Sequence, residues 1–279
     1  MAKVAKSTMI LTSLPKDIFA IILKFSDESS CDNIKKVCMR LYRLHKRFVT
    51  SVIFEQKNQS KVKINEVPRC ISHYYKINSI EFRNGVYPSL PCIEVLKHPK
   101  WLKKLSLYVP VNISFMKLVS QKCKNITNIV LDYDYFDDER VSYALKLSKL
   151  EVIEINCSKV NDDGFTGIGK LNALKSVTVK GCSNLTDNFI RKLSCIKNLQ
   201  ELSISGAPKI SSAAFITLKN IKTLKYIHLE GIDSLDEESV QDLREVLGNK
   251  IEIDFKKGEG SFWGGMLSSF IKGKGLSGF

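Results

Sequence analysis

Residues 174 to 204, LKSVTVKGCSNLTDNFIRKLSCIKNLQELSI, contain one apolar figure twice: Leu174-Val177-Val179 and, 25 residues on, Leu199-Leu202-Ile204. The same apolar-x-x-apolar-x-apolar spacing opens at Ile77, Leu102, Ile126, Leu150 and Leu224, so seven triplets follow one another at intervals of 24 or 25 residues. A period of that length is the mark of a stacked repeat. One unit is too small to bury its own apolar face, whereas neighbours stacked in order share a continuous core. Strand alternation sends the triplet residues inward and the residues between them to an open face.

Between triplets the pattern changes to helical spacing. After Cys182 come Leu185-Thr186-Asp187 and then Phe189, Ile190 and Leu193; after Leu235-Asp236 come Val240, Leu243 and Val246. Asp162, Asp187 and Asp236 stand just before such apolar groups and are read as helix caps, since a carboxylate can accept from the free amides of a helix start. Each unit is thus strand, turn and helix. Val49, Val52 and Phe54 repeat the triplet spacing 28 residues before Ile77, as an irregular first unit would. Gly248-Asn249 stops the last helix, and Ile251, Ile253 and Phe255 form a closing strand, so the array is expected over residues 49 to 255.

The 279 residues are 44% hydrophobic, which suits one elongated array with a small N-terminal module. No apolar run reaches the roughly 18 residues of a membrane span, and residues 9 to 11 are too few for a signal-peptide core, so a cytosolic or nuclear location is expected. The eight cysteines form no C-x-x-C pair, and several fall on apolar positions, as reduced, buried thiols would. The net charge of +14 is uneven: residues 1 to 100 carry +10, residues 151 to 255 carry −2. The late repeats therefore lack the continuous positive track of a nucleic-acid binder.

Residues 1 to 10 read as a frayed, flexible start. From Leu11, Ser13 is placed to cap a helix with Pro15 and Asp17 in its first turn, and Ile18, Phe19, Ile22, Leu23 and Phe25 follow at helical spacing. A second stripe, Cys31, Ile34, Val37, Cys38, Leu41 and Leu44, steps by three and four. Leu14-Pro15-Lys16-Asp17-Ile18-Phe19, with Val37-Cys38 beginning 23 residues after Leu14, resembles the F-box motif, and the downstream units resemble the cysteine-containing leucine-rich repeats found in many F-box proteins.

The resemblance implies an α/β chain: a short F-box-like helical module over residues 11 to 48, then a leucine-rich-repeat solenoid with a parallel strand face. It also implies that Leu14, Pro15, Ile18, Phe19, Ile22, Val37, Cys38 and Leu41 bind a Skp-type adaptor of a cullin complex, while the repeats hold a protein substrate for ubiquitin transfer by other subunits. Leu41 stands where the family has tryptophan, Ser30-Cys31 where it has aspartate-leucine, and Ser26 at a normally apolar position. The residues alone also fit a helical cap over the first repeat.

Catalysis needs convergent groups, and none stands out. His45, His73, His98 and His228 are scattered, there is no H-E-x-x-H, and Gly164-Phe165-Thr166-Gly167-Ile168-Gly169 lies in a repeat's turn and helix rather than in a nucleotide-loop context. No cofactor or metal is called for. The open face offers Tyr108, Asp132, Tyr133, Glu154, Asn156, Lys180, Tyr226, His228 and Glu230 as substrate contacts, with the tyrosines as anchors. Ser106 and Val130 are expected on the same face. The Gly/aromatic tail, residues 256 to 279, carries Phe262, Trp263, Met266, Leu267, Phe270 and Ile271; it either packs locally or engages a partner or membrane surface.

Overall fold

The structure is a computed structural model that describes residues 51–54, 71, 76–94, 99–156, 158–248 and 250–258. The F-box-like module with its eight adaptor-contact residues, all but three residues of the tail, and Cys31, Cys38, Cys70 and Cys157 lie outside the described residues. The chain divides into two compact units, residues 1–126 and 127–279.

In the first unit β1 (Ser51–Phe54), β2 (Ser79–Phe82) and β3 (Lys104–Leu107) run parallel in sequence order, with α1 (Leu90–Glu94), a 3-10 turn at Pro99–Trp101 and α2 (Ile113–Lys122) between and after them. Val52 pairs with Ile80 and Phe54 with Phe82, as the irregular first triplet requires. The rings of Phe54 and Phe82 stack at 5.3 Å, and Phe115 of α2 meets Phe82 edge-on at 6.4 Å. Asn112 caps α2 by accepting from the Phe115 amide at 2.7 Å.

The second unit stacks six parallel strands: β4 (Asn128–Asp132), β5 (Val152–Asn156), β6 (Ser176–Lys180), β7 (Glu201–Ser205), β8 (Tyr226–Glu230) and β9 (Glu252–Lys256). Their register places triplet on triplet. Ile129, Ile153, Val177, Leu202, Ile227 and Ile253 form one inward row, each 0–7% exposed. The crossovers are α3 (Asp138–Ala144), two 3-10 turns at Asp162–Phe165 and Ile168–Lys170, α4 (Asp187–Leu193), α5 (Ser212–Phe215) running into a 3-10 turn at Ile216–Asn220, and α6 (Glu237–Leu247). Gly248, at φ +82°, ends α6 as expected, and β9 follows.

The helical segment expected after Asp162 is thus 3-10 rather than α. Three glycines explain this, because each weakens an α-helix by about 1 kcal/mol and Gly167 adopts φ +92°. Two of them are also packing requirements. A Cβ on Gly164 would lie 2.7 Å from Asp138 Oδ1, and one on Gly169 would lie 2.7 Å from Cys195 Cβ.

The cap assignments change in an informative way. Asp236 does cap its own helix, accepting from the Ser239 amide at 2.8 Å. Asp162 and Asp187 do not; the residues before them, Asn161 and Thr186, accept from the amides of Asp163 and Asn188. One position inside the turn, these two aspartates point to the next repeat instead. Asp162 accepts from the Thr186 amide and hydroxyl, and Asp187 from the Ser211 amide at 2.6 Å and hydroxyl at 2.7 Å. Asp138 likewise accepts from the Asn161 amide at 2.8 Å. Each carboxylate fixes the cap residue of its successor, so turn geometry is transmitted from unit to unit.

Of the cysteines described, Cys92, Cys123 and Cys182 are buried thiols, and desolvation pushes the Cys123 thiol up to about 12. Cys195 departs from expectation: it is exposed beyond the end of α4.

Candidate functional site: the open strand face

Alternation along the six strands of the second unit produces three outward rows. The middle one runs Val130, Glu154, Thr178, Ser203, His228, Asp254, and the row at the strand ends runs Asp132, Asn156, Lys180, Ser205, Glu230, Lys256. Neighbouring strands lie about 4.8 Å apart, so side chains one strand apart within a row can pair.

Pairs form in two groups, some within a row and others on the diagonal between rows or along one strand. At the β4 side, Asn156 Nδ2 donates to Asp132 Oδ1 at 2.8 Å, and Lys180 Nζ pairs with Glu154 at 2.7 Å. Burial raises the Asp132 carboxyl above its ordinary range; the Asn156 bond and Lys180 oppose the rise, while Glu154 and Asp134 add to it. Just past β4, Tyr133 and Tyr135 stack at 5.8 Å with 22° between their planes, and Lys159 lies 4.6 Å from the Tyr135 ring centre. Asp132, Tyr133, Asp134, Tyr135 and Asn156 line an open hollow of about 330 Å³.

At the β9 side, His228 Nδ1 lies 2.8 Å from Asp254 Oδ2 and donates to it, since a carboxylate can only accept. His228 Nε2 is 3.5 Å from Glu230 Oε2, Tyr226 donates to Asp254 at 3.3 Å, and Ser205 reaches Glu230 at 3.5 Å. The His228 bond holds the Asp254 carboxyl below the usual carboxylate range, and the same aspartate raises the Tyr226 hydroxyl after desolvation does.

This arrangement has a pH signature. A carboxylate depressed in the folded state contributes stability above its unfolded pKa, and that contribution is lost as pH falls through the folded value. His228→Phe removes the first cause of the depression, so Asp254 is expected to titrate at higher pH in the variant. The variant should then lose less stability than the parent on acidification below the carboxylate range. Carboxyl NMR titration with urea unfolding at two pH values checks this; an unmoved Asp254 titration would show that His228 does not hold it.

The sequence candidates therefore fall in three places. Asp132, Tyr133, Asn156, Glu154 and Lys180 come together near β4, Tyr226, His228 and Glu230 near β9, and Tyr108 belongs to the first unit, where the Arg83 guanidinium lies 4.9 Å from its ring centre. Two face positions differ from expectation. Ser106 is 1% and Val130 8% exposed, so neither offers a contact surface. Ser106 sits opposite Glu81, which pairs with Arg83, and a short side chain among such long ones is shielded. Sequence reasoning passed over Asp134, Tyr135 and Asp254. The signal for the first two is that Asp132-Tyr133-Asp134-Tyr135 occupies the stretch where the last three repeats, after β6, β7 and β8, have glycine and the repeat after β5 has Cys157. Among the described residues no three His, Cys, Asp or Glu side chains are arranged to hold a metal ion.

Strand, turn and helix at a 24–25-residue interval, with parallel in-register strands, define the leucine-rich-repeat fold. No protein-family model matches the chain, and no curated protein does. Among solved structures it is similar to internalin C2 of Listeria monocytogenes, 14% identical over 73% of this chain and 93% of that one with a TM-score of 0.46. It is also similar to the internalin inlF of the same organism, 13% identical over 83% and 76%, with a TM-score of 0.47. The repeat assignment rests on this chain's own period and register.

Proposed function

We propose that this chain is a non-catalytic receptor that binds a protein partner on its open strand face and, through residues 11 to 48, attaches it to a Skp-type adaptor and cullin complex in the cytosol or nucleus. The observation that carries the reading is the combination of an inner row that is apolar in every unit with outer rows whose charge and size change from unit to unit. Identical demands inside each unit fix the apolar triplets, while the outer rows change from Asp132 and Asn156 to His228 and Asp254. A stack needs the first and does not require the second to vary; recognition of one particular partner needs both. The adaptor arm rests on the Leu14-Pro15 and Val37-Cys38 resemblance. Such a receptor accelerates ubiquitin transfer by proximity, raising the local concentration of a substrate lysine without supplying a nucleophile.

The test is native affinity purification of the full chain with adaptor and cullin, beside a Leu14→Ala, Pro15→Ala double variant. Adaptor recovery is expected to fall at least tenfold, since two central interface anchors are removed, with the melting temperature of the repeats unchanged. Equal recovery from both proteins would overturn the adaptor arm and leave a leucine-rich-repeat interaction scaffold.

A further inference from the structure

The repeat provides its own reference for what the fold requires. After β6, β7 and β8 the chain turns on Gly181, Gly206 and Gly231, at φ +61°, +68° and +60°. At the equivalent place after β4 stands Tyr133, within Asp132-Tyr133-Asp134-Tyr135. Packing does not demand these side chains. Tyr133 is 36% and Tyr135 61% exposed, and Asp134 is exposed and makes no hydrogen bond or ion pair with the described residues. Two stacked phenol rings in water, beside two carboxylates and above a hollow of about 330 Å³, are an open recognition surface.

We propose that this hollow is a docking pocket for an arginine side chain of the protein partner, which names the chemistry of the receptor face described above and rests on that reading. Charge selects the occupant. Glu154 is already paired with Lys180, so the charged side chains that line the hollow itself are the carboxylates of Asp132 and Asp134, with the Lys159 ammonium at its Tyr135 edge. An acidic side chain would meet like charge there, and an apolar one would strip water from two carboxylates without replacing it. A guanidinium satisfies both conditions: its planar fork pairs with a carboxylate and its face lies against a phenol ring. The Lys159 ammonium, 4.6 Å from the Tyr135 ring centre, shows that this aromatic surface accepts a cation from the protein's own chain. Asn156 holds Asp132 Oδ1, which fixes the carboxylate before a ligand arrives. Burial already raises the Asp132 carboxyl, so an arriving cation is favoured for relieving that cost.

The experiment uses the isotope-labelled full chain and three blocked tripeptides, acetyl-Gly-X-Gly-amide with X arginine, norleucine or glutamate, read by amide chemical-shift changes. Arginine alone is expected to shift residues 132 to 135 and 156. Its affinity should fall at least threefold in Asp134→Asn and at least tenfold in Tyr135→Ala, both surface changes. No shift with arginine, equal shifts with all three peptides, or undiminished binding in both variants would overturn the pocket. The readout needs neither adaptor nor natural partner, so loss of the pocket and loss of the receptor assignment are separate results.

Discussion

Leu202→Asp is expected to unfold the centre of the second unit. Leu202 is fully buried on β7, opposite Val177 on one side and Ile227 on the other, both also at 0% exposure. The change forfeits roughly 1.5–3 kcal/mol of leucine burial and places a carboxylate where no cation can reach it. A total near 5 kcal/mol is comparable to the whole stability of many domains. Because stacked units depend on their neighbours, β6 and β8 should lose order with β7. Ser203→Asp, one residue away, provides the contrast. Ser203 faces outward between Thr178 and His228, and an aspartate there should change stability by less than about 0.5 kcal/mol. Circular-dichroism melts of the two variants decide the matter; similar melting would mean that the inward and outward rows are wrongly assigned.

That contrast also shows which parts of the fold the sequence carries openly. Inward residues were legible because period two within a strand and period 24–25 between strands must both be kept by every unit, so Leu105, Ile129, Ile153, Val177, Leu202 and Ile227 identify themselves. The caps were half legible. Residue type marks the turn, but whether Asp187 accepts from its own helix or from Ser211, 24 residues on, depends on the spacing of neighbouring turns in space. The 3-10 turns after Asn161 were hidden for a related reason: their apolar spacing is helical, and only the glycines and the close approach of Cys195 show that a full turn of α-helix does not fit.

The site was less legible than the fold. Alternation places Asp132, Asn156, His228 and Glu230 on one face but does not say which will pair, since pairing depends on side-chain reach across strands. Asp254 was legible only as a polar residue of a closing strand, yet it receives both Tyr226 and His228. Ser106 and Val130 obey the alternation and are still covered, because outward direction and exposure are different properties. Tyr135 lies beyond the strand, where alternation makes no statement at all.

Phe189→Ala is expected to cost about 3–5 kcal/mol, the second-largest loss, through a cavity that its surroundings fill only in part. Phe189 is the first large apolar residue of α4 and is fully buried; its ring centre lies 4.6 Å from that of Phe165, in the preceding unit, with 58° between the planes. Tilted ring pairs of this kind contribute roughly 0.5–1.5 kcal/mol beyond the area they bury. The pair therefore couples two repeats directly, in parallel with Asp162 holding Thr186. A double-mutant cycle with Phe165→Leu and Phe189→Leu, followed by urea unfolding, isolates the coupling and should return about 1 kcal/mol. Hydrogen exchange locates it. Protection should drop across residues 162–170 and 187–193 while β8 and β9 keep theirs, because each repeat contacts only its neighbours. A uniform loss of protection over the whole second unit would instead show that its six strands unfold as one block, and that the ring pair serves the core as a whole.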